Sequence, residues 1–312
     1  MKNVIRDPSC IHANLATSLN DMEITSPEKA LGIPPTTLAS FQGEKLVFDD
    51  LLSTIISNLR LSGIAITEYN FSDGISKMLS EATHSNSYVV ALLDPFYLPF
   101  CWADYQKNHG YHLCIITGYN HTDESVHIVD SSDVIDFNGS VQVSTFNESA
   151  LCKDTSYRWF SISKNHHYNL RDSYSVLELE QLWSSEKYLS HHELLNHIEG
   201  NLTKIISILT KEIESKTEAF SDSDKLIQGI WTVSHVLRWH TNKVKQSIVN
   251  QDLYNNIVPL LETLSQDWLI LRNNLIKVRI GSSQVLVDRI PSILSQIHHS
   301  ISAIKNLVQT HA

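Results

Sequence analysis

The chain has 312 residues with 42% hydrophobic and 19% charged side chains, a globular composition that leaves room for two domains, each with its own core. Its formal net charge of −10 speaks against a nucleic-acid partner, whose phosphates select basic surfaces. No uninterrupted apolar run reaches the length of a signal peptide or a membrane span, so the expectation is a cytoplasmic protein without a membrane partner.

Residues 10–22 set Ile11, Leu15, Leu19 and Met22 at helical spacing behind Asp7, Pro8 and Ser9, a helix-start signal that puts Cys10 at the positive end of a buried helix. Residues 46–61 and 71–82 predict two more helices, and 87–93 (SYVVALL) a buried strand. The segment 94–110 (DPFYLPFCWADYQKNHG) carries two prolines, many aromatics and no period, which predicts a structured loop. Residues 112–118 and 125–130 are apolar runs joined by the polar NHTDE (120–124), a hairpin signal, and a strand near 157–162 closes the domain.

From about residue 175 the period is helical. Leu202, Ile205, Ile206, Leu209 and Ile213 mark one helix, and a less regular one covers 225–249. Ile257, Leu260, Leu261, Leu264, Trp268, Leu271 and Leu275 mark a third, and Ile290, Ile293, Leu294, Ile297, Ile301 and Ile304 a fourth. Pro291 sits early in the last, at a start or a kink. The expected fold class is α+β, with a catalytic domain over 1–170 followed by an α-helical domain over 171–312. Residues 225–312 hold nine basic against four acidic side chains, which leaves the first 224 residues at −15. A basic helical surface suits an acidic protein or a phosphate-bearing group, and equally a plain solvated face.

Four cysteines, Cys10, Cys101, Cys114 and Cys152, lack CxxC spacing and read as free thiols. Cys10 has the setting of a nucleophile, because the positive end of a helix and a neighbouring imidazolium both favour a thiolate. The partner imidazole needs an acceptor on its second nitrogen to fix its orientation. His112 opens one hairpin arm and Asp130 ends the other, and in an antiparallel pair those ends lie side by side. Cys, His and Asp in that chain order, the last two on adjacent strands, is the papain-like arrangement. Spacing alone leaves the plain readings open: an inert buried helix cysteine, a core histidine bonded to backbone, and a turn or cap aspartate. Cys114 shares a strand face with His112 by period two and reads as core.

The stretches DPSCIHANLATSL (7–19), SYVVALLDPFYLPF (87–100) and HGYHLCIITGYNHTDESVHIVDSSD (109–133) together resemble the butirosin-biosynthesis acyltransferase H family. That family is similar to C39 peptidases, with a papain-like N-terminal domain and a helical C-terminal domain. The shared pattern is a cysteine before a helix, a strand ending in Asp, a tyrosine and proline loop, a His-led strand reaching Gly-Tyr, and a second strand ending in Asp. The resemblance implies Cys10 as nucleophile, His112 as base and Asp130 as the orienting acid. It implies an amide synthase without a bound cofactor, in which an acyl or peptidyl carrier protein presents an acyl group as a phosphopantetheine thioester. The acyl group passes through acyl-Cys10 to an amine or diamine in natural-product biosynthesis. LGIPPTTLASF (31–41) departs from the glycine-rich stretch of the family, and no binding role carries over to it.

Asp94, Tyr97 and Pro99 are candidates for a substrate-binding wall or for turning the chain. Trp231, His235 and Arg238 are candidates for a substrate channel on the helical domain, with core packing as the alternative. His192, Glu193 and His197 (HELLNH) resemble a zinc-protease motif, but histidines five apart on a helix diverge by about 140° and cannot chelate one ion. No metal is therefore expected. The rival functions are a C39-like peptidase, ranked lower because such peptidases are often fused to a membrane transporter, and a noncatalytic carrier-binding protein.

Overall fold

Short runs rich in β-branched and aromatic residues organise the first half of the chain around one sheet, and amphipathic stripes organise the second half around long helices. The computed structural model describes residues 4–7, 9–24, 27–31, 39–42, 45–48, 51–70, 78–80, 87–107, 110–150, 158–164, 222–247, 251–279 and 284–311, with part of 195–207. The chain divides into two units, Met1–Leu31 with Ile55–Leu170, and Gly32–Thr54 with Arg171–Ala312.

In the first unit, α1 (Cys10–Asp21) and α2 (Pro27–Leu31) precede a six-stranded sheet. Its strands are β3 (Ile64–Asn70), β4 (Tyr88–Leu93), β5 (His112–Asn120), β6 (Ser125–Asp130), β7 (Phe137–Gln142) and β8 (Arg158–Lys164), with α4 (Val143–Ala150) between the last two. The order across the sheet is β3-β8-β4-β5-β6-β7, and every neighbouring pair is antiparallel. Alternation buries both faces of its centre. Val89, Ala91, Leu93, Cys114, Ile116, Val126 and Ile128 join Phe146 and Ala150 of α4 in one cluster. Val90, Leu92, Leu113, Ile115 and Val129 are buried on the other face. α1 packs on β4, β5 and β6, and eight consecutive residues of it, from His12 through Leu19, are buried. Leu15 and Leu19 are fully buried, each contributing roughly 1.5–3 kcal/mol.

The second unit holds a two-stranded antiparallel sheet of β1 (Ala39–Gln42) and β2 (Lys45–Phe48) and the helices α5 (Asp222–Ser247), α6 (Gln251–Arg279) and α7 (Gln284–His311). α3 (Leu51–Leu61) holds the boundary between the units in the chain. α6 packs on both α5 and α7 through the expected stripes, with Ile257, Leu261, Leu264, Trp268, Leu271 and Leu275 fully buried. Ser234 and Ser265 clip α5 to α6 reciprocally, each hydroxyl donating to the other's carbonyl at 2.8 Å.

The architecture is the expected mixed α+β class, with departures in detail. Residues 46–61 are a strand and a helix and not one helix, because Leu46 and Val47 pair across to Phe41 and Ser40. Most of 71–82, 192–194, 197 and much of 202–213 lie outside the described residues. Pro291 does not start the last helix: α7 begins at Gln284 and runs through it. No helix among the described residues is long and apolar enough to cross a membrane.

Candidate active site

The site begins at the start of α1. Ser9 is the N-cap, in extended conformation (φ −84°, ψ 111°), and its side chain accepts from the His12 N–H. The Ser9 N–H donates to Asp7 Oδ1 at 2.8 Å, and the Asp7 carbonyl accepts from the Asp133 N–H at 3.0 Å. Asp7 also bridges to Ser132. These bonds tie the helix start to the chain just beyond Asp130, so Cys10 is brought to the end of β6. Cys10 is half-buried.

A β-bulge sets the other side. β5 and β6 pair Asn120 with Ser125 and Gly118 with His127, but then Ile116 with Ile128 and Ile115 with Val129, so Thr117 is the extra residue. Its hydroxyl lies 2.6 Å from His127 Nδ1. Without the bulge, Thr117 would pair with Ile128 and the register would place Ile115 opposite Asp130. With it, Cys114 stands opposite Asp130, and His112, Cys114 and Asp130 share one face.

His112 Nε2 lies 2.6 Å from Asp130 Oδ2, and the same imidazole is within hydrogen-bonding reach of the Cys10 thiol. Asp130 Oδ1 accepts from the Ser132 N–H at 2.9 Å and from Asn14 Nδ2 at 3.1 Å. Asn14 Nδ2 also donates to the Leu113 carbonyl at 2.6 Å, and Asn14 Oδ1 accepts from the Ser131 N–H and hydroxyl at 2.9 and 3.0 Å. Asn14 is one turn beyond Cys10 and fastens α1 to both strands that carry the other two residues. Nothing in the sequence marks it except that spacing.

Burial works against charge on His112, but the Cys10 and Cys114 sulfurs and hydrogen bonds to Asp130 and Cys10 overcome it and hold the imidazole well above the ordinary histidine range. Burial likewise opposes ionisation of Asp130. The hydrogen bond and charge of His112, the Ser132 N–H and the Asn14 amide outweigh it and keep the carboxyl below its usual range. Cys114 lies beside the same imidazole, yet burial pushes its thiol up to about 11 against the opposing influence of His112. Cys101 is pushed up further, again by burial first. Of the described thiols, only Cys10 combines a helix N-terminus with access to solvent, the setting that favours a thiolate.

Asp94 is fully buried at the end of β4. Its Oδ1 accepts from the Phe96 and Gly110 N–H groups at 3.0 and 3.3 Å, bonds that shape the 94–110 segment. Tyr97 is half-buried in the 3₁₀ turn Pro95–Tyr97, its ring edge-on to Phe96. That segment presents Trp102 to solvent at 62% exposure, and Tyr111, beside His112, is also exposed. Neither was singled out by sequence, because an aromatic in a loop has no period to mark it. Trp231, His235 and Arg238 belong to the second unit, on α5. The Trp231 and His235 rings lie with centroids 4.3 Å apart and planes tilted by 59°, and burial, then Arg238 and Arg272, push His235 down to about 4. An open groove of about 470 Å³ between α6 and α7, lined by residues including Asn255, Asn256, Pro259 and Leu307, holds no residue of the cysteine site.

No protein-family model matches the chain, and no curated protein matches it in sequence.

Proposed function

We propose that the chain is a papain-like cysteine acyltransferase that takes an acyl group from a carrier-protein phosphopantetheine thioester and delivers it to an amine or diamine. The observation that supports this reading is the line Cys10, His112, Asp130: a half-exposed thiol at a helix start, an imidazole in reach of it, and a carboxylate 2.6 Å from its Nε2.

In this mechanism His112 takes the proton of the Cys10 thiol and Asp130 stabilises the imidazolium. The thiolate attacks the thioester carbonyl, a carbon–sulfur bond to Cys10 forms, and the bond to the pantetheine sulfur breaks as that sulfur takes the proton from His112. The Cys10 backbone N–H, one of the α1 amides without an intrahelical acceptor, is the donor assigned to the oxyanion. An amine then attacks acyl-Cys10, its proton passes through His112 to the departing Cys10 sulfur, and the amide leaves. Exchange of one thioester for another is nearly balanced, so the drive comes from amide formation. The basic surplus of residues 225–312 suits an acidic carrier protein, and the free state of Cys10, Cys101 and Cys114 suits the cytoplasm.

Intact-protein mass spectrometry of wild type and Cys10→Ala, mixed with an acyl-pantetheine thioester with and without diamines, tests the reading. The expected result is an acyl adduct on wild type alone, discharged as an amide when amine is added. Hydrolysis without amide would indicate a peptidase-type enzyme, and no adduct with any acyl group on a carrier protein would remove the enzyme reading.

A further inference from the structure

The proposed acyl transfer leaves one member of the cluster unused. A ring nitrogen of His112, the Cys114 sulfur and a carboxylate oxygen of Asp130 all lie within 4.8 Å of one another, and all three residues are buried. Cys10, in hydrogen-bonding reach of the same imidazole, is the half-exposed neighbour. A separation of this size admits an ion with bonds of about 2.0–2.3 Å to nitrogen, sulfur and oxygen. The donor chemistry is selective: one imidazole, one carboxylate and two sulfurs suit a soft or borderline cation, whereas Mg²⁺ and Ca²⁺ require an oxygen shell.

We propose that His112, Cys114 and Asp130 form a three-ligand site for a divalent cation of the zinc class, closed by the Cys10 thiolate from the side that meets solvent. Binding displaces to solvent the proton of the buried Cys114 thiol, the proton shared by His112 and Asp130, and any proton on Cys10, and each sulfur and the freed ring nitrogen then donate an electron pair to the ion. Because these protons leave as the ion binds, occupancy strengthens as pH rises. The bound ion occupies a sulfur that acylation needs and an imidazole lone pair that proton transfer needs. Metal and acyl group are therefore mutually exclusive on Cys10, and the site acts as an inhibitory one. The ligand geometry stands apart from the acyl-transfer reading, and only the inhibitory consequence rests on it.

The test is titration of the reduced full-length protein with Cd²⁺, followed by its thiolate charge-transfer absorbance, with Zn²⁺ and Mg²⁺ as competitors. One equivalent giving a two-thiolate band, displaced by Zn²⁺ and not by Mg²⁺, is expected. In parallel, Zn²⁺ should protect Cys10 from iodoacetamide, mapped by peptide mass. Cys114→Ala, and Cys114→Ser where packing volume must be kept, should weaken Cd²⁺ binding at least about tenfold and halve the band. Both should leave Cys10 open to alkylation in the absence of metal. Cys101→Ala, which removes a buried thiol outside the ligand set, should bind as wild type. Absence of the band from wild type, or a band undiminished in either folded Cys114 variant, overturns the proposal. A normal band with no acyl adduct would instead remove the acyl-transfer reading alone, since the absorbance needs no substrate.

Discussion

Asn14 commits its entire side-chain amide to the Leu113 carbonyl, Asp130 Oδ1 and the Ser131 N–H and hydroxyl, all of it buried. Asn14→Ala leaves a buried backbone N–H and a buried carbonyl without partners and removes one donor from the carboxylate that orients His112. The expected cost is about 2–3 kcal/mol in urea unfolding, together with slower acylation of Cys10 by a thioester. Wild-type stability in the folded variant would show that water or a neighbour replaces the amide. This residue also marks the limit of what sequence carries. Cys10, His112 and Asp130 were legible because each sits at the terminus of a periodic element, where the direction of its neighbours is set locally. Asn14 acts on residues 99, 116 and 117 positions away, and its local sequence is that of any buried helix.

At the scale of elements, the bulge at Thr117 decides which face of β6 meets His112. Deleting Thr117 removes the extra residue and leaves Ile116 opposite Ile128 and Cys114 opposite Asp130 in an unbroken register. The hydrogen bond from His112 to Asp130 and the alkylation of Cys10 should both survive, the first read as a retained low-field imidazole N–H resonance. The helical far-ultraviolet signal should remain. Loss of the resonance in the folded variant would show that the bulge itself, and not the pairing beyond it, holds Asp130 toward His112. The hairpin was legible in its apolar runs, but the bulge was not, since Gly118 is its one local sign and does not say which neighbour goes unpaired. Other misses have related causes. β7 (FNGSVQ) carries an Asn-Gly pair that signals a turn, and it is a strand because β6 offers it an edge. α4 is short and polar, held by burial of Phe146, Ser149 and Ala150. The long helices α5, α6 and α7 were recovered because repeated apolar turns outweigh local noise.

Across the whole molecule, the acidic and basic halves differ in how they should respond to pH, and the second unit holds the sharper device. On α5, burial followed by Arg238 and Arg272 pushes His235 down to about 4, and burial followed by Lys243 pushes His240 down to about 3. The unfolded chain returns both to the ordinary range near 6.5, so between these values it binds protons that the folded unit does not. Stability is therefore greatest above the unfolded value and falls as pH drops toward the folded ones. From about pH 7 to about pH 5, each histidine should cost on the order of 2 kcal/mol. Urea unfolding at the two pH values, followed by tryptophan fluorescence, measures the sum for wild type. His240 is fully buried and so tolerates an apolar replacement in principle. His240→Leu should remove one of the two increments and flatten the pH dependence, whatever it does to stability at neutral pH. An unchanged dependence in that variant would mean that the helix opens locally and lets the imidazole charge without unfolding, and burial on α5 would then not control the response to acid.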